Sequence, residues 1–135
     1  MKISLVMATI GRTAEPKRFL ESLLAQTDRN FEVLVVDQNP DNRLVPILQA
    51  MTLRGLPLRH LRLDFPSLSN ARNLGIAQAA GDLVGFPDDD CWYEEGTIAA
   101  VRQCFEVNKD ADGVVGCWVE QSLARGEEPS SGNLS

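Results

Sequence analysis

The chain has 135 residues, of which 44% are hydrophobic and 24% are charged, a balance that is typical of a globular protein and excludes a disordered or fibrous one. Its length allows one domain with a core large enough to fold without a structural metal. The net charge of −6 excludes the broad basic surface on which nucleic-acid binding depends, so no nucleic-acid partner is expected.

The apolar runs of the sequence are short. The longest, such as those at 33–36 and 98–101, fall far below the roughly 20 residues that cross a bilayer. The first residues carry Lys2 and an apolar run that stops at Met7, without the long apolar region and cleavage site of a signal peptide. We therefore expect a cytoplasmic protein, in which peripheral membrane association would come through segments outside this chain.

The first part of the chain alternates strands with helices. Residues 3–7 are β-prone, and the apolar positions of 13–26 form one stripe of a helix. Residues 31–36 form a nearly continuous apolar run, which is typical of a strand buried on both faces of a parallel sheet. A second helix is predicted over 41–51, and Gly55 ends it.

The middle of the chain predicts an edge strand and a third helix. Residues 58–63 alternate leucine with basic residues, which suits a strand at the edge of a sheet. The single histidine, His60, is interpreted there as structural or exposed. Ser69 is predicted to cap a helix over 70–80, and Gly81 is predicted to close it in the left-handed conformation.

The order of the elements predicts the fold class. A strand at 82–86, a helix after Glu94 and a last strand at 114–119 complete an alternation of five strands and four helices. That order implies right-handed crossovers and a mainly parallel sheet with helices on both faces. We expect a three-layer α/β domain over residues 1–120, followed by a poorly ordered tail at 121–135.

The polar residues that directly follow the predicted strands are the candidate functional residues. In an open parallel sheet the ligand lies beyond the carboxyl ends of the strands. The candidates are Thr9 to Arg12, Asp37 to Asn39, the triplet Asp88 to Asp90, and Asn70 and Arg72 in the third helix. A strand-end aspartate alone is usually a cap or a turn former. Several polar residues at one edge of a sheet favour a binding site.

The aspartate triplet 88–90 predicts a metal site. Three adjacent carboxylates repel one another unless a cation or hydrogen-bond donors lie between them. Hard oxygen ligands with room for water and phosphate suit Mg²⁺ or Mn²⁺ better than a fully caged Ca²⁺. A guanidinium beside a metal is a common arrangement for diphosphate, and Arg12 and Arg72 are the candidates for it. The alternative for Arg72 is a surface ion pair.

Five motifs follow one another along the chain, at 3–11, 23–27, 31–37, 69–75 and 80–90. Together they resemble the N-terminal, nucleotide-sugar-binding half of family 2 glycosyltransferases, and the match covers about residues 3–119. The resemblance implies the GT-A (Rossmann-like) fold, possibly truncated on the acceptor side. It also implies a nucleotide-diphosphate sugar donor linked to UDP, GDP or TDP, a sugar or glycan acceptor, and Mg²⁺ or Mn²⁺ as cofactor.

The resemblance also implies a role for individual residues. Thr9 and Asp37 match positions that contact the base and ribose in the family. The triplet matches the DxD motif, in which the last aspartate binds the metal and the middle one approaches the ribose. The implied nucleotide-sugar-binding residues are Thr9, Arg12, Asp37, Asn39, Asn70, Arg72 and Asp89, and the implied metal ligands are Asp88 and Asp90. The sequence departs from the family after the second strand, at Gln38 and Asn39, and beside the triplet, at Pro87 and Cys91, which leaves the nucleotide open.

The reaction that the resemblance implies is inverting transfer, in which an acceptor hydroxyl attacks the anomeric carbon as the diphosphate leaves. The family's general base lies in the C-terminal half, and Glu120 does not match its motif, so the catalytic base is unassigned. The length suits the donor half and is short for the acceptor half. A non-catalytic nucleotide-binding or assembly module is therefore the alternative. A nucleotidyltransferase ranks last, because residues 9–12 contain one glycine only.

Overall fold

The structure of the protein is a computed structural model that describes residues 1–107. Within this part of the chain, strands and helices alternate in the predicted order. The strands are β1 (Ile3–Thr9), β2 (Phe31–Asp37), β3 (Leu58–Arg62) and β4 (Leu83–Gly85). The helices are α1 (Ala14–Leu24), α2 (Val45–Leu53), α3 (Leu68–Gln78) and α4 (Thr97–Val107). The strand predicted at 114–119, Glu120, the boundary at 120 and the tail at 121–135 lie outside the described residues.

The four strands form one parallel sheet in the order β3-β2-β1-β4. The chain moves from β1 to one side through β2 and β3, and α3 then carries it back to place β4 on the other side of β1. Ligands of open parallel sheets bind where the direction of winding reverses in this way. The topology therefore directs attention to the carboxyl ends of β1 and β4.

The side chains of β1 and β2 alternate between two cores. Leu5 and Met7 pack with residues of α1, α2 and α4 on one face of the sheet. Val6 packs with Leu34 and with Ala71 of α3 on the other face. Burial of each large apolar side chain contributes about 1.5 to 3 kcal/mol, so both cores hold the sheet between helices. This arrangement confirms the predicted three-layer α/β fold for the described residues.

Two glycines allow other segments to approach β1 closely. At Gly75 in α3, an added Cβ would lie 2.2 Å from Cγ1 of Val6. At Gly81, an added Cβ would lie 2.6 Å from Oγ of Ser4 and 2.7 Å from the carbonyl oxygen of Lys2. No real Cβ tolerates such distances without movement of its neighbours. Glycine at these positions therefore sets how closely α3 and the start of β4 pack on the central strand.

The ends of α3 differ from the prediction. Ser67, not Ser69, is the N-cap, and its Oγ accepts a hydrogen bond of 3.3 Å from the backbone N–H of Asn70. The helix ends at Gln78 and the chain continues in an extended conformation, so the prediction that Gly81 closes it in the left-handed conformation is wrong. The close approach to β1, not a turn, accounts for the glycine.

The first two strands extend further than predicted. Pairing continues to Thr9 in β1, which lies opposite Asp37 in β2. Both residues are buried, so two of the candidate site residues belong to the sheet and not to the loops. None of the helices within residues 1–107 combines the length and the apolar character needed to cross a bilayer.

Candidate active site

A cavity of about 470 Å³ opens beyond the carboxyl ends of β1 and β4. Its wall is formed by the loop after β1, the start of α3 and the loop after β4. Five of the nine predicted site residues line it, namely Thr9, Arg12, Arg72, Asp88 and Asp89. The structure thus brings together residues that the sequence separates by up to 80 positions. Asp37, Asn39, Asn70 and Asp90 do not line the cavity.

Thr9 and Arg12 hold the middle aspartate of the triplet. Oγ1 of Thr9 donates a hydrogen bond of 2.8 Å to Oδ2 of Asp89, and Nη1 of Arg12 lies 3.2 Å from its Oδ1. The same nitrogen lies 3.5 Å from Oδ2 of Asp90. Thr9 is buried, whereas the side chain of Arg12 is 44% exposed. Both oxygens of Asp89 are therefore engaged, and the loops after β1 and β4 are joined.

The outer aspartates of the triplet, Asp88 and Asp90, are the carboxylates that the sequence predicts as metal ligands. Asp88 and Asp90 are exposed. The carboxyl group of Asp88 is partly buried although the residue as a whole is exposed. This burial and the charge of Asp90 raise the pKa of Asp88, and the charge of Arg72 lowers it. Carboxylates that repel each other beside an arginine fit the hard oxygen donors that Mg²⁺ and Mn²⁺ take. Within residues 1–107 no three His, Cys, Asp or Glu side chains cluster as a metal site, so a cation here also needs oxygen ligands from water or phosphate.

Cys91 fixes the loop after the triplet. Its Sγ donates a hydrogen bond of 2.9 Å to the carbonyl oxygen of Asp88. Burial, together with the charges of Asp88 and Asp90, raises the pKa of the Cys91 thiol to about 12. The raised pKa favours the protonated thiol, which donates this hydrogen bond and supports the loop.

Asp37 does not line the cavity. Its carboxylate is fully buried, and Oδ1 accepts hydrogen bonds from the backbone N–H and the side-chain amide of Asn39, at 2.9 and 2.8 Å. Oδ2 lies 2.9 Å from Nε2 of His60. Asn39 in turn accepts a hydrogen bond of 2.7 Å from the N–H of Gly11, whose φ of 75° favours glycine. Asp37 therefore orients the loop that carries the cavity residues of β1, and His60 has a structural role, as the sequence indicated.

The start of α3 places Asn70 and Arg72 differently. The side-chain amide of Asn70 donates to Oγ of Ser67 at 2.9 Å, so it belongs to the helix cap. The guanidinium of Arg72 lies over the ring of Phe86, with the carbon Cζ 5.2 Å from the ring centroid. Such a cation–π contact stabilises a positive charge at the cavity wall. Arg72 thus faces the cavity, whereas contact of Asn70 with a nucleotide stays a prediction.

Gln38 lies within the candidate segment 37–39 but is not among the nucleotide-sugar-binding residues that the family resemblance implies. It is 8% exposed and lines the cavity, with its backbone N–H donating to the carbonyl oxygen of Thr9 at 3.0 Å. Its Oε1 accepts a hydrogen bond of 2.7 Å from the N–H of Ser67. The available signal was a polar residue directly after a buried strand.

Comparison with known sequences places the chain among glycosyltransferases. The model of the family described as Glycosyl transferase family 2 matches residues 4–133. An uncharacterized glycosyltransferase of Haemophilus influenzae is 34% identical over 107 residues, which cover 78% of this chain and 35% of that protein. The uncharacterized glycosyltransferase YwdF of Bacillus subtilis is 31% identical over 117 residues, which cover 83% of this chain and 42% of that protein. The chain spans less than half the length of these relatives.

Solved structures show the same fold. Residues 1–349 of S. aureus TarS, in complex with UDP, superpose with a TM-score of 0.72 at 25% identity, covering 81% of this chain and 33% of that one. The mannosyltransferase PcManGT from Pyrobaculum calidifontis, in complex with GDP-Man and Mn²⁺, has a TM-score of 0.70 at 19% identity. The match covers 77% of this chain and 32% of that one. The second likeness bears on the fold alone. From its sequence match and its parallel α/β architecture, the chain belongs to glycosyltransferase family 2 and has the GT-A fold.

Proposed function

We propose that the chain binds a nucleotide-diphosphate sugar together with Mg²⁺ or Mn²⁺ and provides the donor site for inverting transfer to a sugar or glycan acceptor. One observation carries the proposal. Thr9, Arg12, Asp88 and Asp89 line one cavity where the winding of the sheet reverses, and Arg12 also lies 3.5 Å from the carboxylate of Asp90 beside it. The UDP that TarS binds, in a structure of the same fold, supports a nucleotide in this position.

The positive groups at the cavity wall suit a diphosphate. Arg12 and Arg72 line the cavity, and so does the N-terminal end of α3 at Ser67 and Leu68. A helix N-terminus carries partial positive charge and free N–H groups, which favour phosphate oxygens. In a chain with a net charge of −6, Arg12 and Arg72 supply positive charge at the wall that also carries Asp88 and Asp89, and this charge supports the binding of an anionic donor there.

Asp88 and Asp90 would hold the divalent cation. Bound there, the cation would neutralise charge on the leaving diphosphate. Asp89 is held by Thr9 and Arg12 and is proposed to approach the ribose. Asp37 and Asn39 support the site by shaping the loop at Gly11, and their direct contact with the nucleotide, like that of Asn70, stays a prediction.

The proposed reaction is a single displacement. The acceptor hydroxyl oxygen bonds to the anomeric carbon on the face opposite the diphosphate, the bond to the diphosphate oxygen breaks, and the hydroxyl proton passes to a base that is not assigned. The described residues contribute by orienting the donor and by presenting positive charge to it, and such positioning supplies much of the rate enhancement in group transfer. The cytoplasmic location is part of this proposal.

Calorimetry on the 135-residue chain tests the donor site. Titration with UDP, GDP and TDP, each with and without Mn²⁺, is expected to show metal-dependent binding of at least one of them. Absence of metal-dependent binding to folded protein would overturn the proposal. An assay of donor hydrolysis and of transfer to added sugars separates the enzyme from a non-catalytic module, because turnover excludes the module. Cell fractionation tests the location.

A further inference from the structure

We propose that Phe86 is a positioning residue of the donor site, whose ring holds the guanidinium of Arg72 ready for the anionic ligand. The inference rests on the proposed function, since it takes the cavity to hold a nucleoside diphosphate. Phe86 lines the cavity but is not among the site residues that the family resemblance implies. The inference also gives a role to Pro87, at which the sequence departs from the family.

The two arginines that line the cavity are held in different ways. Nη1 of Arg12 lies 3.2 Å from Asp89 and 3.5 Å from Asp90, so carboxylates of the protein already engage that guanidinium. Cζ of Arg72 instead lies 5.2 Å from the centroid of the Phe86 ring. In the part of the chain that the structure describes, no hydrogen bond or ion pair engages the guanidinium nitrogens of Arg72. Its N–H groups are therefore available to a ligand.

An aromatic ring suits this task better than a carboxylate does. The face of the ring attracts a cation through its quadrupole and takes up none of the five N–H donors of the guanidinium. A carboxylate in place of Phe86 would neutralise the charge of Arg72 and would use donors that a phosphate needs. Phe86 thus restrains the guanidinium and leaves both its charge and its hydrogen-bonding capacity to the ligand.

The backbone on both sides of this contact is held by packing. Phe86 directly follows β4, is half-buried and packs against the core that contains Ala71. Pro87 is buried and restricts the residue before it to extended backbone conformations. Ala71, the neighbour of Arg72, is fully buried, and α3 approaches β1 closely at Gly75. A group that is ordered before binding loses little entropy when the ligand binds, so these supports favour affinity.

Matched variants of the full chain test this assignment. Phe86→Leu removes the ring and keeps an apolar side chain, whereas Phe86→Tyr keeps a ring face for the guanidinium. Arg72→Ala removes the guanidinium, and the double variant completes a cycle that measures how far the two residues act together. Phe105→Leu makes the same change at a half-buried position of α4 that does not line the cavity, and it is the control. Calorimetry with Mn²⁺ measures the affinity of each folded variant for UDP.

Phe86→Leu is expected to weaken UDP binding by about threefold to tenfold, the range that a partly buried cation–π contact allows. Phe86→Tyr and Phe105→Leu should bind UDP like the parent. In the Arg72→Ala background, Phe86→Leu should cause no further loss, because the ring acts through the guanidinium. A ring that merely supported the loop of the triplet would give the same fold loss with and without Arg72.

Two further measurements keep the test decisive. If Phe86→Leu fails to fold, Phe86→Met takes its place, because the flexible methionine side chain fills irregular sites. If Arg72→Ala binds UDP too weakly to measure, the dependence of binding on NaCl decides. UDP binding by Phe86→Leu should then be less sensitive to salt than that of the parent, since less of it comes from the guanidinium charge.

Four results would overturn the inference and leave the proposed function standing. They are unchanged UDP binding in Phe86→Leu, unchanged UDP binding in Arg72→Ala, an equal fold loss with and without Arg72, and equal losses in Phe86→Tyr and Phe86→Leu. In the salt measurement, a dependence equal to that of the parent overturns it as well. A parent that binds no nucleotide with Mn²⁺ overturns the proposed function and the inference together.

Discussion

Thr9 and Asp89 are joined by a hydrogen bond of 2.8 Å between residues 80 positions apart. Thr9 is the last residue of β1, and Asp89 follows β4, the neighbouring strand. Because Thr9 is 2% exposed, water competes little with its hydroxyl for the carboxylate. The position of the middle aspartate therefore depends on the sheet and not on its own loop alone.

Replacing Thr9 by Val removes this hydrogen bond and leaves the shape of the side chain. We expect a loss of about 1 to 3 kcal/mol in the free energy of unfolding, because the bond is made to a charged group. Urea denaturation measures the loss. Thr9→Ser keeps the hydroxyl and should restore most of the lost stability. A Val variant as stable as the parent would show that the hydrogen bond contributes little at this position.

Asp90→Ala should abolish the metal dependence of nucleotide binding and leave stability within about 0.5 kcal/mol of the parent. The Asp90 side chain is 59% exposed, so its loss creates no cavity in the core. Calorimetry with UDP and Mn²⁺ and thermal unfolding measure the two effects. Asp64→Ala removes an exposed carboxylate outside the triplet and should behave like the parent. Metal-dependent binding by Asp90→Ala equal to that of the parent would exclude Asp90 as a ligand.

Arg12→Ala should change the affinity for the cation and the affinity for the nucleotide in opposite directions. Nη1 of Arg12 lies near carboxylate oxygens of Asp89 and Asp90, where it competes with a bound metal. Removing it should strengthen binding of Mn²⁺ alone and weaken binding of UDP with Mn²⁺ by about tenfold, since a charged hydrogen bond to phosphate is lost. Arg18 donates a hydrogen bond to the backbone oxygen of Asp90 and not to its carboxylate, so Arg18→Ala is the control. Weaker binding of both ligands by Arg12→Ala would show that Arg12 does not compete with the metal for the carboxylates.

Asp37→Asn should destabilise the protein by about 2 to 4 kcal/mol, because it places an amide NH₂ among buried groups that need an acceptor. His60 and Asn39 both lose a charged partner in this variant. Urea denaturation measures the effect. Asp41→Asn, which alters an exposed ion pair with Arg43, should leave stability almost unchanged. Equal stability of the two variants would show that the buried network contributes little.

Stability should fall in acid through Glu32. Burial raises the pKa of this carboxyl, but hydrogen bonds from Ser4 at 2.6 Å and from the N–H of Ala80 at 2.7 Å lower it below the ordinary value of 4.5. A pKa that is lower in the folded than in the unfolded state adds stability above 4.5, and this stability is lost as pH falls through the folded pKa. Asp28, whose pKa is lowered by its hydrogen bond with Arg102, contributes in the same direction.

Thermal unfolding between about pH 7 and pH 3 measures this loss. Glu32→Gln should be less stable than the parent at neutral pH and should lose less stability on acidification. A variant with the full parental pH dependence would assign the effect to other carboxylates. Glu15→Gln, at the first turn of α1, controls for the removal of a carboxylate at a position with no such hydrogen bonds among residues 1–107.

The ends of α3 show where local patterns fail. Ser67 and Ser69 are both good capping residues, and the sequence offers no basis for choosing between them. In the structure the N–H of Ser67 donates to the side chain of Gln38, and Ser67 is the N-cap. The N-cap is therefore two residues before Ser69. The choice depends on a residue 29 positions away. Gly81 was misassigned for the same reason, since its neighbour is Ser4 and not the end of the helix.

The sequence by itself determined the alternation of strands and helices and the polar residues after each strand. Buried parallel strands produce continuous apolar runs such as 31–36, and amphipathic helices produce stripes, so both signals are contained in short windows. The strand-end residues followed from the same windows, and the ordered motifs indicated the family. The length and composition predicted one domain.

The tertiary structure alone decided which of these residues meet. The strand order places β4 beside β1, and this brings Asp89 to Thr9. The tertiary structure also places the carboxylate of Asp37 in a buried hydrogen-bond network with His60, and it places Gln38 in the wall of the cavity. Adjacent residues of a strand point to opposite faces, but which face holds the ligand depends on helices packed from distant parts of the chain. Local periodicity carries no information on that packing.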